Sequence, residues 1–288
     1  MIILDLQQIM LSNLMVGVQK HEIEDFSDDL FRHMVLNSIR SNLTKFRSTY
    51  GDLVIASDGI KYWRKDVFPN YKWHRQGDRE KREKIDWSAV FESINKIRDE
   101  LRDNFSYPVI NLPHVEADDI IATLILNNTE DKYLILSADK DFVQLQVNPK
   151  VAQYDPIRKK AVKIDNPREY LLEHVIRGDR GDGIPNIRSG DDVFVNGQRQ
   201  SVISKANAEK WIDFLSKDED SSTQIFPNEV YRNWCRNRDL IDLTRIPLNV
   251  RQDILAEYEN QKSKPPKSLT PYFMKHNLRQ LLGAMGEF

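Results

Sequence analysis

The strongest constraint on this chain is the run Val109–Asp141, where two apolar segments each end in a cluster of carboxylates. Val109–Leu112 reads as a buried strand and Tyr133–Leu136 as a second. Between them, Ala117–Leu126 reads as a helix, with Ile120, Ile121, Leu124 and Ile125 at helical spacing. This is a strand-helix-strand crossover, which predicts a parallel sheet. Loops leaving the carboxyl ends of parallel strands open onto one crevice, so Glu116, Asp118, Asp119, Asp139 and Asp141 are expected to share a site. Bare carboxylates at that density would take up protons at neutral pH. A cation turns them into hard oxygen ligands suited to magnesium or manganese. Acidic residues also favour helix starts and turns for local reasons, but two clusters on consecutive strand ends exceed what local capping explains.

The rest of the chain repeats the theme. Met1–Leu6 is a short apolar strand presenting Asp5, and Leu53–Ala56 is another, followed by Asp58. Ser27 and Asp28 can cap a helix through about Phe46, with Phe31, Val35, Ile39 and Leu43 on one face. Asp86 caps a further helix whose stripe of Trp87, Val90, Phe91, Ile94, Ile97 and Leu101 faces the sheet. Val151–Tyr154 and Ala161–Ile164 read as a hairpin around Asp155-Pro156. Pro167 begins a helix that Gly178 stops. Asp179 and Asp182 then lie three apart in a glycine-broken loop, and the remainder is helical in pattern, with Lys262–Lys267 as a connector.

Lys61–Lys84 breaks the pattern, with nine lysines and arginines against four carboxylates. Tyr62, Trp63, Phe68, Tyr71 and Trp73 are interleaved among them without an apolar period. Aromatic rings among cations can stack on bases while lysine and arginine hold phosphates, so this segment is expected to bind nucleic acid and to be disordered without it. A solvated loop with a few anchoring rings is the alternative.

At 288 residues the chain can bury a substantial core. With 40% hydrophobic and 30% charged residues and no long apolar run, it has the composition of a soluble protein, without a membrane partner. Its apolar start lacks a basic leader and is interrupted by Asp5, which argues against a signal peptide. The single Cys235 excludes an internal disulfide and fits a cytosolic setting. The six histidines, His21, His33, His74, His114, His174 and His276, show no metal-site spacing and receive no catalytic role. Serine-triad, Walker and dinucleotide fingerprints are missing, leaving carboxylate and metal chemistry.

In order, LDLQ, IASDG, WRKDVFPNYKWHR, VEADDIIATL, LSADKDFVQL and IRGDRGDGIPN resemble the flap endonuclease and 5′ nuclease family, a similarity running nearly end to end. The resemblance implies an α/β fold: a PIN-like, twisted, mainly parallel sheet flanked by helices. A catalytic domain would span 1–178, with an arch at 61–85, and a helical DNA-binding domain 179–288. It implies a monomeric enzyme with two Mg2+ ions, Mn2+ substituting, that cuts RNA or DNA from 5′ ends and at flaps, on branched or nicked duplexes and RNA–DNA hybrids. Carried onto this sequence, one metal would be held by Asp5, Asp58, Glu116, Asp118 or Asp119, and Asp139. The second would use Asp141, Asp179 and Asp182, some through waters. Lys72 and Arg75 would neutralise the scissile phosphate beside the metal-holding Asp5, Asp58, Glu116 and Asp139, and Lys61, Arg64 and Tyr71 would join them at the nucleic acid. Phage origin, a role in removing RNA primers and a single-stranded-DNA-binding-protein partner belong to the same resemblance. Where the family carries a glycine-rich helical hairpin with a potassium-assisted contact, this chain reads IPNIRSGDDVFVNG. A PIN-type single-strand ribonuclease and a catalytically silent DNA-binding module are the alternatives.

Overall fold

The computed structural model describes residues 1–20, 27–75, 77, 86–263, 265 and 267–288. The expected arch therefore extends outside the described residues at 76 and 78–85, the connector Lys262–Lys267 at 264 and 266, and His21 entirely. A six-stranded sheet organises the molecule: β1 Ile2–Asp5, β2 Leu53–Ala56, β3 Val109–Ile110, β4 Tyr133–Leu136, β5 Val151–Asp155 and β6 Lys160–Ala161, in the order β3-β2-β1-β4-β5-β6. All pairings are parallel except β5 with β6, which is the expected hairpin.

The longer helices are α1 Leu6–Lys20, α2 Asp28–Tyr50, α3 Trp87–Asn104, α4 Ala117–Asn127, α5 Pro167–Arg177, α6 Lys205–Lys217, α7 Asn228–Ile241 and α8 Leu248–Lys262. Alternate residues of each central strand enter different cores. Ile2, Leu4, Leu53, Ile55, Leu134 and Leu136 pack with α1, α2 and α3. Ile3, Val54, Ile110 and Ile135 pack with α4 and α8. Burial on both faces explains why the strands are continuous apolar runs rather than alternating ones. The helix α2 starts as expected, with Ser27 Oγ accepting from the Leu30 amide, and continues past Phe46 to Tyr50, where Gly51 adopts φ 82°.

A third apolar cluster joins Phe68 and Tyr71 to α5, α6 and α7 through Leu172, Ile176, Leu215, Trp234 and Leu240. Because α5 precedes residue 178 and α6 and α7 follow it, the expected boundary at 178/179 does not coincide with a break in packing. Beyond α7 the chain returns to the sheet: Val250 and Ile254 of α8 join one face and Tyr272 and Phe273 the other. The segment Ile184–Gly197 forms turns and no helical hairpin, pinned where Asp191 accepts from Arg232 and Arg236.

Candidate active site

The chain order places a topological switch between β1 and β4, since the sheet grows from β1 through β2 to β3 before crossing back to β4. Such a switch opens a crevice at the carboxyl ends of the strands. Asp5 ends β1, Asp58 follows β2, Glu116 and Asp118 start α4 after β3, and Asp139 follows β4. Gly59 lets the β2 loop lie against the loop before α4, because a Cβ there would sit 2.1 Å from the Leu112 carbonyl oxygen.

Asp5 is buried, accepting from the Gln8 amide (3.1 Å) and Ser137 Oγ (2.9 Å). Burial, reinforced by Asp58 and Asp139, pushes its carboxyl up to about 7. Asp58 accepts from the Ala117 amide (2.7 Å), yet burial still raises it. Burial raises Asp118 and Asp139 too, Asp118 with help from Asp139. Asp141 is pushed up to about 7 by burial and then by Asp139. So much resistance to ionisation in one crevice marks an excess of hard oxygen donors, which suits a divalent cation.

Glu116 differs because the chain supplies its cations, and Asp182 meets Lys72 and Arg75 beside it. Lys72 Nζ donates to Glu116 Oε1 and lies 3.5 Å from Asp182 Oδ2. Arg75 donates to Asp182 Oδ1 (2.7 Å), and the Tyr71 hydroxyl donates to Asp182 Oδ2 (2.9 Å) and contacts Glu116. Burial opposes ionisation of Glu116, but Lys72 and Arg64 outweigh it and hold the carboxyl below its ordinary value. Lys72 adopts φ 54°, a left-handed conformation uncommon outside glycine, held by its amide donating to the Asp182 carbonyl (2.8 Å).

Three expectations change here. Asp119 does not face the crevice: successive helical residues point about 100° apart, and Asp119 turns into the core. Fully buried, it accepts from Trp63 Nε1 (3.0 Å) and the Glu116 amide (3.0 Å) and pairs with Arg64 (2.8 Å). Arg64 is no nucleic-acid contact in this arrangement, being 3% exposed with donations to Glu116 Oε2 (2.7 Å) and the Leu240 carbonyl (2.9 Å). Among the interleaved rings, Trp63, Phe68 and Tyr71 are buried, so residues 61–75 form folded structure rather than a loop awaiting a ligand. Lys61 and Trp73 remain exposed, as a binding surface requires.

The structure also adds a residue that the spacing of histidines conceals. His174, on α5, points between Asp141 Oδ1 (3.5 Å from Nδ1) and Asp179 Oδ2 (3.4 Å from Nε2). Asp141, His174 and Asp179 are the group of potential metal ligands that converges among the described residues. Burial would depress the His174 imidazole, but Asp179 and Asp141 together keep it above its ordinary value. Asp179 is in turn held low against its burial by His174 and by the amides of Gly181 and Asp182. Gly178, at φ 69° and with no room for a Cβ beside the Ile184 carbonyl, makes the turn that brings Asp179 back to His174.

Comparison with known proteins assigns the whole length. Residues 30–174 match the model of a 5′-3′ exonuclease N-terminal resolvase-like domain, and residues 166–288 match that of the T4 RNase H C-terminal region. The chain belongs to the 5′-3′ exonuclease family. Within this nuclease family, it is 31% identical to ribonuclease H of enterobacteria phage T4, across 99% of this chain and 95% of the relative. Flap endonuclease Xni of Shewanella pealeana is 32% identical over 48% of this chain and 54% of its own. In three dimensions, T5 5′-exonuclease superimposes with a TM-score of 0.66 at 16% identity, covering 91% of this chain and 99% of the neighbour. Its fold is the one described above: a mostly parallel sheet between helices with a helical carboxyl-terminal part. The chain is thus a metal-dependent 5′ nuclease by family, and the acidic crevice is its candidate active site.

Proposed function

We propose that this chain hydrolyses phosphodiester bonds at free 5′ ends and flaps of RNA–DNA hybrids and DNA duplexes, using two Mg2+ ions for which Mn2+ substitutes. The observation that supports this reading best is the convergence of Asp5, Asp58, Asp118 and Asp139, all raised by burial, beside Lys72 and Arg75. These carboxylates, with Glu116 alongside, fit one ion, and Asp141, Asp179 and Asp182 fit the second, some through water. When bound, the ions supply activation of water and stabilisation of the departing oxygen. The chain's own part is electrostatic and positional. Glu116 and Asp182 hold Lys72 and Arg75 at the mouth of the acidic set, where a scissile phosphate meets positive charge. Exposed Lys61 and Trp73 flank the approach, suited to phosphate contact and base stacking. Tyr71 serves by orienting Glu116 and Asp182 rather than by stacking.

The relatives supply the substrate class. Phage T4 ribonuclease H and bacterial 5′-3′ exonucleases are similar in sequence, and a T5 flap endonuclease of the same fold is known in complex with DNA and metal ions. Removal of RNA primers during replication by a monomer in the cytoplasm, beside a single-stranded-DNA-binding protein, completes the proposal. The test uses a 5′-labelled RNA primer annealed to DNA and a flapped duplex, each with magnesium and with EDTA. Short products requiring magnesium, abolished in a folded Asp139→Asn variant, are expected. Full activity of that variant refutes the assignment. Cleavage of single-stranded RNA alone would favour a PIN-type ribonuclease instead.

A further inference from the structure

We propose that His174 is an inner-sphere nitrogen ligand of the second metal position, giving it a preference for transition ions such as Co2+ or Mn2+ over Mg2+. The inference rests on the metal-dependent reading above and refines one of its sites. Three features carry it. His174 Nδ1 is buried and has no hydrogen-bond partner, although Asp141 Oδ1 faces it at 3.5 Å. That separation is long for a hydrogen bond, but two donors each about 2.1 Å from one ion stand roughly 3.0 Å apart at an octahedral angle and roughly 3.4 Å apart at a tetrahedral one, so a small adjustment brings both to one ion.

The opposite ring nitrogen is the second feature. Nε2 faces Asp179 Oδ2 at 3.4 Å, while Asp179 Oδ1 accepts from the amides of Gly181 (2.6 Å) and Asp182 (3.3 Å). Both oxygens of Asp179 are thereby directed at groups of the protein, which makes Asp179 the carboxylate that orients the imidazole and one of those that reach the second ion only through water. A carboxylate behind one nitrogen, leaving the other free, is the usual support of a metal-ligating histidine. The third feature is position. The nitrogen enters the crevice beside Asp141, and Asp139 lies two residues from Asp141 across the turn where the Asp141 amide donates to it (2.9 Å). Imidazole suits first-row transition ions such as Co2+ and Zn2+; Mn2+ is harder and prefers oxygen but accepts a nitrogen ligand more readily than Mg2+, which favours oxygen and retains water.

Pulsed electron paramagnetic resonance on the full chain loaded with Mn2+ reads the ligand directly. Nitrogen modulation characteristic of a bound imidazole is expected, altered when the protein is made with 15N-histidine and lost in a folded His174→Gln variant. In calorimetric titration the same variant should weaken Mn2+ at one of two positions about tenfold or more and leave Mg2+ nearly unchanged. Two bound Mn2+ ions without nitrogen coupling overturn the inference and leave the nuclease reading standing. Coupling that persists in His174→Gln overturns it also, and failure of the wild-type chain to bind Mn2+ at all removes both.

Discussion

Replacing Arg64 separates a structural role from nucleic-acid recognition. Its guanidinium is 3% exposed and serves three acceptors: Glu116 Oε2 at 2.7 Å, Asp119 Oδ1 at 2.8 Å and the Leu240 carbonyl at 2.9 Å. It also packs over the Trp63 ring, 4.6 Å from the centroid. Removing one partner of a buried ion pair costs about 3–5 kcal/mol, because the other charge is left uncompensated. Glu116 keeps Lys72 and Tyr71, and Asp119 keeps Trp63 Nε1 and the Glu116 amide, which places the loss near the lower bound. Arg64→Met should therefore destabilise the chain by about 3–4 kcal/mol in urea unfolding with EDTA present. Arg64→Lys keeps the charge but cannot reach three acceptors at once, and should cost about 2 kcal/mol. Adding Asp119→Leu to Arg64→Met should recover part of the loss, since the stranded carboxylate is gone. If Arg64→Met lies within about 1 kcal/mol of wild type while duplex affinity collapses, the buried network has been misjudged and Arg64 is a nucleic-acid contact after all.

Neighbouring carboxylates on α4 should part company: Asp118→Asn abolishes cleavage with stability retained or raised, and Asp119→Asn lowers stability by about 2 kcal/mol through its lost pairing with Arg64. Calorimetric metal titrations and urea melts of the pair check this, and equal destabilisation by both would contradict it. Asp5 and Asp141, each pushed up to about 7, bind protons more tightly folded than unfolded. The metal-free chain should thus be most stable near pH 4 with respect to these groups and lose that stability as pH rises to about 7, with Mg2+ restoring progressively more. Thermal melts with EDTA and with Mg2+ across that window read it, and a magnesium increment independent of pH refutes it. Lys72→Ala should cut the rate of cleavage about 100-fold or more while duplex binding persists, measured in single-turnover assays. Gly59→Ala should displace the Leu112–Val115 loop and reduce metal affinity, because the Cβ has no space beside Leu112.

How far the sequence could be read depended on what each residue's neighbours are. Leu53–Ala56 and Tyr133–Leu136 were legible residue for residue, since a strand buried on both faces leaves an uninterrupted apolar run. The acidic set was legible because strand ends impose its convergence whatever the details of packing. Asp118 and Asp119 could not be told apart: only the location of Arg64 and Trp63, more than fifty positions earlier, decides which of them turns inward. Trp63, Phe68 and Tyr71 misled for a related reason. Rings among cations resemble a binding loop until Phe68 and Tyr71 are seen packed with α5 and α7, and Trp63 in the core shared with α4 and α8. His174 was hidden because its carboxylates come from a different loop and from beyond Gly178, so its own spacing to other histidines carries no signal.

The two outermost strands, β3 and β6, are two residues long each, while the strands between them have four or five. A sheet whose margins end so abruptly offers little template for a second copy to add a strand. Lys160 on exposed β6 places a charge where such an addition would have to form. The chain can thus keep a nearly all-apolar set of central strands, as a crevice at their carboxyl ends demands, without presenting an edge that invites self-association at the concentrations reached during overexpression.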